Sequence, residues 1–153
     1  MRVSAKTDYA LRAALELAAA ADEGRPVKGE RIATAQAIPL RFLENILMQL
    51  RHAGLVESRR GADGGYRLAR PPAEVTLADV IRAIDGPLAG VSGARPETLD
   101  FVGVAEPMRD VWIAVRAALR GVLERVTLAD VVAGGLPAHV RELVADEDAW
   151  VPH

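Results

Sequence analysis

Four arginines crowd a glycine cluster in the middle of the chain: Arg59 and Arg60 precede Gly61, Gly64 and Gly65, and Arg67 and Arg70 follow Tyr66. Guanidinium groups on a narrow ribbon can touch the phosphates of a duplex or reach into its minor groove. The glycines permit positive φ, and Asp63 beside Gly64 is a common turn pair, so residues 55–60 and 66–69 are expected to pair as strands that end at Pro71-Pro72. A glycine-rich loop can also cradle a nucleotide phosphate. That use has a helix starting at the loop, whereas the strand-like Tyr66-Arg67-Leu68 follows here. Upstream, Arg41, Glu44, Asn45, Met48 and His52 fall on or near one helix face, where polar groups can meet base edges in a groove.

Other chemistries lack their residues. The chain contains no cysteine, which excludes a cysteine-ligated iron-sulfur cluster and thiol redox sensing, since thiolate is the working group in both. His52, His139 and His153 are far apart and lack the spacing of a zinc site, so no metal and no cofactor is expected. No paired carboxylates at useful spacing and no nucleophile with its base are present, so no catalytic residue is assigned and an enzyme is not expected.

The elements that must hold these groups are read from apolar spacing. Leu43, Ile46, Leu47 and Leu50 recur at i, i+3, i+4 and i+7, one stripe of an amphipathic helix that starts at Pro39 and stops at Gly54. Residues 30–36 form a second short helix, and Ala37-Ile38 is the tight connection between the two. Helix, turn, helix and basic glycine-rich hairpin follow in the order of a winged helix-turn-helix. In front of them, an alanine-rich helix runs from an N-cap at Ser4 to about Ala21, with Asp8 near its first turn.

Behind the hairpin, Thr76 and Asp79 make a cap-like pair before the stripe Leu77, Val80, Ile81 and Ile84, which stops near Gly86-Pro87. Residues 86–107 read as a long loop. A long helix follows, with Val111, Trp112, Val115, Leu119, Val122 and Leu123 on one broad apolar face and Arg109, Arg116, Arg120 and Glu124 on the other. Such a face suits a dimer interface, because a small wing domain cannot easily cover it; the alternative is a helix packed on its own domain. The peptide Val-Thr-Leu-Ala-Asp-Val occurs at 75–80 and again at 126–131, two helix starts with the same capping chemistry and no wider repeat around them.

Composition is compatible with this organisation. A chain of 153 residues with 50% hydrophobic content can build one ordinary core. The formal charge is only −2, yet residues 1–72 carry 12 Lys+Arg against 8 Asp+Glu, and residues 73–153 carry 7 against 13. Positive charge thus gathers in the half expected to meet phosphate. Residues 1–21 lack a long apolar run and carry Arg2, Lys6, Asp8, Arg12 and Glu16, and no stretch could span a bilayer, so no membrane association and a cytoplasmic location are expected.

The opening Met-Arg-Val-Ser-Ala-Lys-Thr-Asp-Tyr-Ala, Phe-Leu-Glu in the second helix of the pair, Leu-Arg-His-Ala-Gly-Leu-Val, Arg-Gly-Ala-Asp-Gly-Gly-Tyr-Arg-Leu-Ala and Thr-Leu-Ala-Asp-Val-Ile-Arg-Ala-Ile-Asp-Gly together resemble the Rrf2-type bacterial transcription regulators. The resemblance runs from Met1 to about Val132. It implies a fold that is mainly α with a small β-hairpin, a winged helix-turn-helix domain plus a long dimerisation helix. It also implies a homodimer on a partly palindromic operator in double-stranded DNA, usually as a repressor. Base contacts are implied at Arg41, Phe42, Glu44 and Asn45, with Arg60 and Gly64-Gly65-Tyr66 matching the family's wing, beside Arg59.

Cluster-binding relatives hold three cysteines in the loop region, where this chain has Ser92, Arg95, Glu97, Asp100, Glu106 and Arg109. Asp8 matches a carboxylate ligand of some of those relatives and is read here as a helix N-terminal charge. The expected organisation is a DNA-binding domain at 1–85, a loop at 86–106, a dimerisation helix with a short following helix at 107–135, and a tail at 136–153. A small-molecule effector or a protein partner would supply the signal. The alternative is a protein-interaction module that kept the fold without operator specificity.

Overall fold

The structure is a computed structural model that describes residues 3–152. Met1 and Arg2, at the head of the resemblance, and His153 lie outside the described residues.

Helix α1 (Ala5–Ala19) begins where the Ser4 hydroxyl accepts the Thr7 amide at 3.1 Å, a side-chain cap on an otherwise unpaired donor. Its small face buries Ala10, Ala13, Ala14, Leu17 and Ala18, which lets other helices approach closely. A 3-10 turn at Ala21–Glu23 and Gly24, at φ +67°, reverse the chain.

The next two helices are α2 (Gly29–Gln36) and α3 (Leu40–His52). Between them Ala37 adopts left-handed φ 52°, and the Ile38 amide donates to the Ala33 carbonyl at 2.9 Å. Ile38 is buried, so the turn is pinned from inside. Helix α3 buries Leu43, Ile46, Leu47 and Leu50 completely, the expected stripe, each contributing about 1.5–3 kcal/mol relative to an exposed position. Strands β1 (Val56–Arg59) and β2 (Gly65–Leu68) pair antiparallel, Val56 opposite Leu68 and Arg59 opposite Gly65. One further bond, Ala69 amide to Leu55 carbonyl at 2.9 Å, extends the ribbon toward the expected ends.

Four more helices follow: α4 (Leu77–Asp85), α5 (Met108–Leu123), α6 (Leu128–Ala133) and α7 (Ala138–Ala145). Thr76 and Thr127 each form a complete capping box, with Asp79 and Asp130. The two copies of Val-Thr-Leu-Ala-Asp-Val also pair with each other. The Leu77 amide donates to Val126 at 3.0 Å and the Leu128 amide to Val75 at 2.9 Å, an antiparallel rung at Thr76 and Thr127.

The core gathers around α1, which packs against α2, α3, α4, α6 and β2. Val126 and Leu128 are buried, and Leu128 joins the core cluster, so α6 packs into the same core as α1. In α5 no residue is buried; its main packing is on α4 and the 3-10 turn Pro96–Thr98. The stretch read as a tail carries α7 and a final 3-10 turn, Glu147–Trp150. Among the described residues no helix is long and apolar enough to cross a membrane.

Candidate nucleic-acid interface

With its stripe buried, α3 turns Arg41, Phe42, Glu44 and Asn45 outward, all exposed. Phe42 is anchored: its ring meets Tyr9 edge to face at 5.7 Å and 84°. Tyr9 in turn lies under the Arg12 guanidinium, 4.7 Å from the ring centroid. Arg12 pairs with Asp8 at 2.8 Å and donates to the Gln36 carbonyl at 3.0 Å. Thus α1 holds both the end of α2 and the first turn of α3. Asn45 Oδ1 accepts from Gln49 Nε2 at 2.7 Å, which steadies its side chain one turn along the helix.

The four wing arginines divide into two pairs. Arg67 is held by Glu57 across the strands at 2.8 Å, and Arg70 stands 3.8 Å from Asp79. The side chains of Arg59 and Arg60 are exposed and make no ion pair or hydrogen bond among the described residues. Within the wing, those two are the cations left for a ligand.

Backbone packing positions them. Gly64 is buried, and a side chain there would collide with the Arg59 carbonyl. Gly65, at φ +148°, approaches Val27 so closely that an added Cβ would lie 2.5 Å from its carbonyl oxygen. Tyr66 and Val27 exchange two hydrogen bonds of 2.7 Å, a bridge that ties the wing to the chain two residues before α2. Only glycine allows this approach. Just ahead, Arg31 grips Glu23 through two bonds of 3.0 and 3.1 Å, and that hydrogen bonding holds the Glu23 carboxyl below its ordinary range.

The wing and the start of α3 therefore flank one groove of about 310 Å³, lined by Lys28, Glu30, Leu40, Glu44, Arg59 and Tyr66 together with the turn glycines. The structure brings Glu44, Arg59, Gly64, Gly65 and Tyr66 together there, while Arg41, Phe42 and Asn45 stand on α3 beyond its lining. Lys28 and Leu40 were not singled out from the sequence. The signal for Lys28 was its place between Val27, which pairs with the wing, and α2.

Comparisons agree with this geometry. Residues 3–134 match the Rrf2 family, described as an iron-dependent transcriptional regulator. A Mycobacterium tuberculosis protein named as an HTH-type transcriptional regulator is 51% identical over 146 residues, 95% of this chain and 90% of its own length. The HTH-type transcriptional regulator CymR of Bacillus subtilis is 38% identical over 131 residues, 85% of this chain and 88% of its own. The solved structure of CymR, titled the global cysteine regulator of that organism, matches with a TM-score of 0.74 at 35% identity, covering 87% of this chain and 97% of that one. The structure of T. potens IscR matches with a TM-score of 0.69 at 32% identity, covering 100% of this chain and 93% of that one. These relatives are regulators of transcription and not enzymes.

The iron of the family description would need ligands from the residues present. The chain has no cysteine, and among the described residues no group of three or more His, Asp and Glu could hold a metal. The carboxylates nearest the question are engaged by arginines: Asp8 by Arg12, Glu97 by Arg116 at 2.5 Å, and Asp100 by Arg109 at 3.8 Å. The Glu97 carboxyl is held below its ordinary range, first by its own backbone amide and then by Arg116. The residues present do not fit a thiolate-bound cluster. A mainly helical chain with a two-stranded wing, matched to a family signature over residues 3–134 and to solved regulators along most of its length, belongs to the Rrf2 family of helix-turn-helix transcriptional regulators.

Proposed function

We propose that two copies of this chain bind a partly palindromic operator and repress transcription from it. Helix α3 of each copy would enter the major groove, the two about one helical turn apart, with the wings on flanking phosphates or minor grooves. Arg41, Phe42, Glu44 and Asn45 read or contact bases. Arg59, Arg60 and the Gly64-Gly65-Tyr66 turn hold the backbone. The observation that carries this reading is the shared groove between the start of α3 and a wing whose Arg59 and Arg60 have no partner in the fold.

Dimerisation uses α5 through Val111, Trp112, Val115, Leu119, Val122 and Leu123. Support comes from exposure: Val111 is 47% exposed and no α5 residue is buried in the single chain, so an apolar face lacks cover. A regulator that acts on the chromosome would be at work in the cytoplasm. Its signal is a small molecule or a protein partner acting through residues 86–106 and α5, without a cysteine-bound cluster.

The test is a salt series with a duplex taken from the protein's own promoter and a random duplex of equal length. The promoter duplex is expected to bind more tightly and with a steep salt dependence, because arginines release counterions. Equal affinity for both duplexes at every salt concentration would sink the reading.

A further inference from the structure

Residues 73–153 are acidic, with only seven Lys+Arg, yet four of those seven line a single cleft. Arg82 of α4, Arg95 of the 86–106 segment, and Arg116 and Arg120 of α5 surround about 490 Å³ above the buried Leu88. That volume is in the range of small-molecule sites. Two carboxylates answer the four guanidiniums. Glu97 pairs with Arg116, and Glu124 accepts from both Arg82 and Arg120. The cleft therefore keeps an excess of two positive charges, and Arg95 makes no hydrogen bond or ion pair through its side chain among the described residues, acting on Glu97 only through space. Guanidinium forks match carboxylate and phosphate oxygens two at a time.

We infer that this cleft binds a small organic dianion, carboxylate or phosphate in character, and that this ligand is the effector of DNA binding; the second half rests on the regulator reading above. Arg95 supplies the unengaged charge, and Arg82, Arg116 and Arg120 close around the same anion. The path to the DNA-reading half is short. The Arg82–Glu124–Arg120 contact ties α4 to α5 and is partly exposed, a kind of pair that a competing anion displaces readily. Arg82 lies three residues before Asp85 at the end of α4. Asp85 accepts a hydrogen bond from the buried Thr7 and more distant ones of 3.4 and 3.5 Å from Ser4, at the start of α1. Helix α4 also packs on α3. A dianion that draws Arg82 from Glu124 thereby moves the helix on which α1 and α3 rest.

Calorimetric titration of the full-length protein with succinate and with inorganic phosphate, at constant ionic strength, tests the site. Saturable binding of one anion per chain is expected from at least one probe, and the probe that saturates assigns the ligand as dicarboxylate or phosphate. Arg95→Gln, which removes no side-chain hydrogen bond or ion pair among the described residues, should weaken binding by about tenfold. Arg125→Gln, an exposed change outside the cleft, should leave it unchanged. Absence of saturation by roughly 10 mM, where even weak fragment-sized ligands register, overturns the site, as does equal loss in both variants. A saturating probe should also change affinity for the promoter duplex in the unaltered protein and not in Arg95→Gln. Anion binding without that change overturns the effector role. Failure to prefer the promoter duplex, with anion binding intact, overturns the regulator reading and leaves the site standing.

Discussion

Arg60 sits in the wing turn with no partner, whereas Arg67, seven residues on, is clamped by Glu57 at 2.8 Å. Their substitutions should therefore separate. Arg60→Ala is expected to weaken every duplex alike and to flatten the salt slope by about 1. Arg67→Ala should change DNA binding little, since it removes an exposed pair worth roughly 0–1 kcal/mol. Fluorescence anisotropy across a salt series distinguishes the two, and equal losses would contradict the division. On α3, Asn45→Ala and Glu44→Ala should alter base preference, with about 1–3 kcal/mol of discrimination at the positions they read. Competition among single-base variants of the promoter duplex checks this, and a uniform loss over all variants would instead make both residues backbone contacts. Glu44 carries the further condition that a carboxylate near phosphate needs a cytosine amino group or an arginine to meet it.

Among the elements, α3 was the most legible in sequence, because an apolar i, i+3, i+4, i+7 stripe between Pro39 and Gly54 leaves little freedom of register. The wing was legible from its glycines, although which arginines it leaves free was not, since Glu57 and Asp79 come into range only once the strands and α4 are built. The rung between Val27 and Tyr66 has no signature either: one residue long, it cannot show the alternation that marks a strand. Nor could spacing reveal that α6 returns to α1, a contact between residues far apart along the chain. Caps, by contrast, are local and were visible at Thr76. In the twin box, the Thr127 backbone amide first and its hydroxyl second hold the Asp130 carboxyl below its ordinary 3.8. A depressed carboxyl adds stability that is complete above the unfolded value and lost as pH falls through the lower folded value. Thr127→Ala should cost about 1 kcal/mol at neutral pH, as other lost caps do. The gap in melting temperature from the unaltered protein should narrow below pH 3.8. A gap that stays constant into acid would show that the carboxylate plays no part.

At the scale of the whole molecule, charge and apolar surface are segregated. Basic residues collect in the DNA-reading half, and the uncovered apolar helix lies in the acidic half. Two copies joined through α5 would present two wings to one duplex, and binding by the second copy then benefits from the effective concentration the first creates. Val111→Glu places a charge on the exposed part of that face. It should yield a monomer in sedimentation experiments and cost at least about tenfold in affinity for the promoter duplex, with melting changed little. A dimer that survives this change would move the interface elsewhere.

The rung between Thr76 and Thr127 clips the chain at the neck of a long excursion: α4 packs back into the core, and residues 86–123 lie beyond it before the chain returns to the same pair of backbone hydrogen bonds. A clipped neck insulates the core from the length of what lies beyond it, since doubling a flexible loop costs only about 0.6 kcal/mol. Inserting a few glycine and serine residues beside the fully exposed Val104 should accordingly leave melting and DNA affinity nearly unchanged. A loss of either would mean that the excursion is gauged by its length. On the clipped-neck view, this chain can lengthen or shorten the segment after α4 without disturbing the core around α1 and α3.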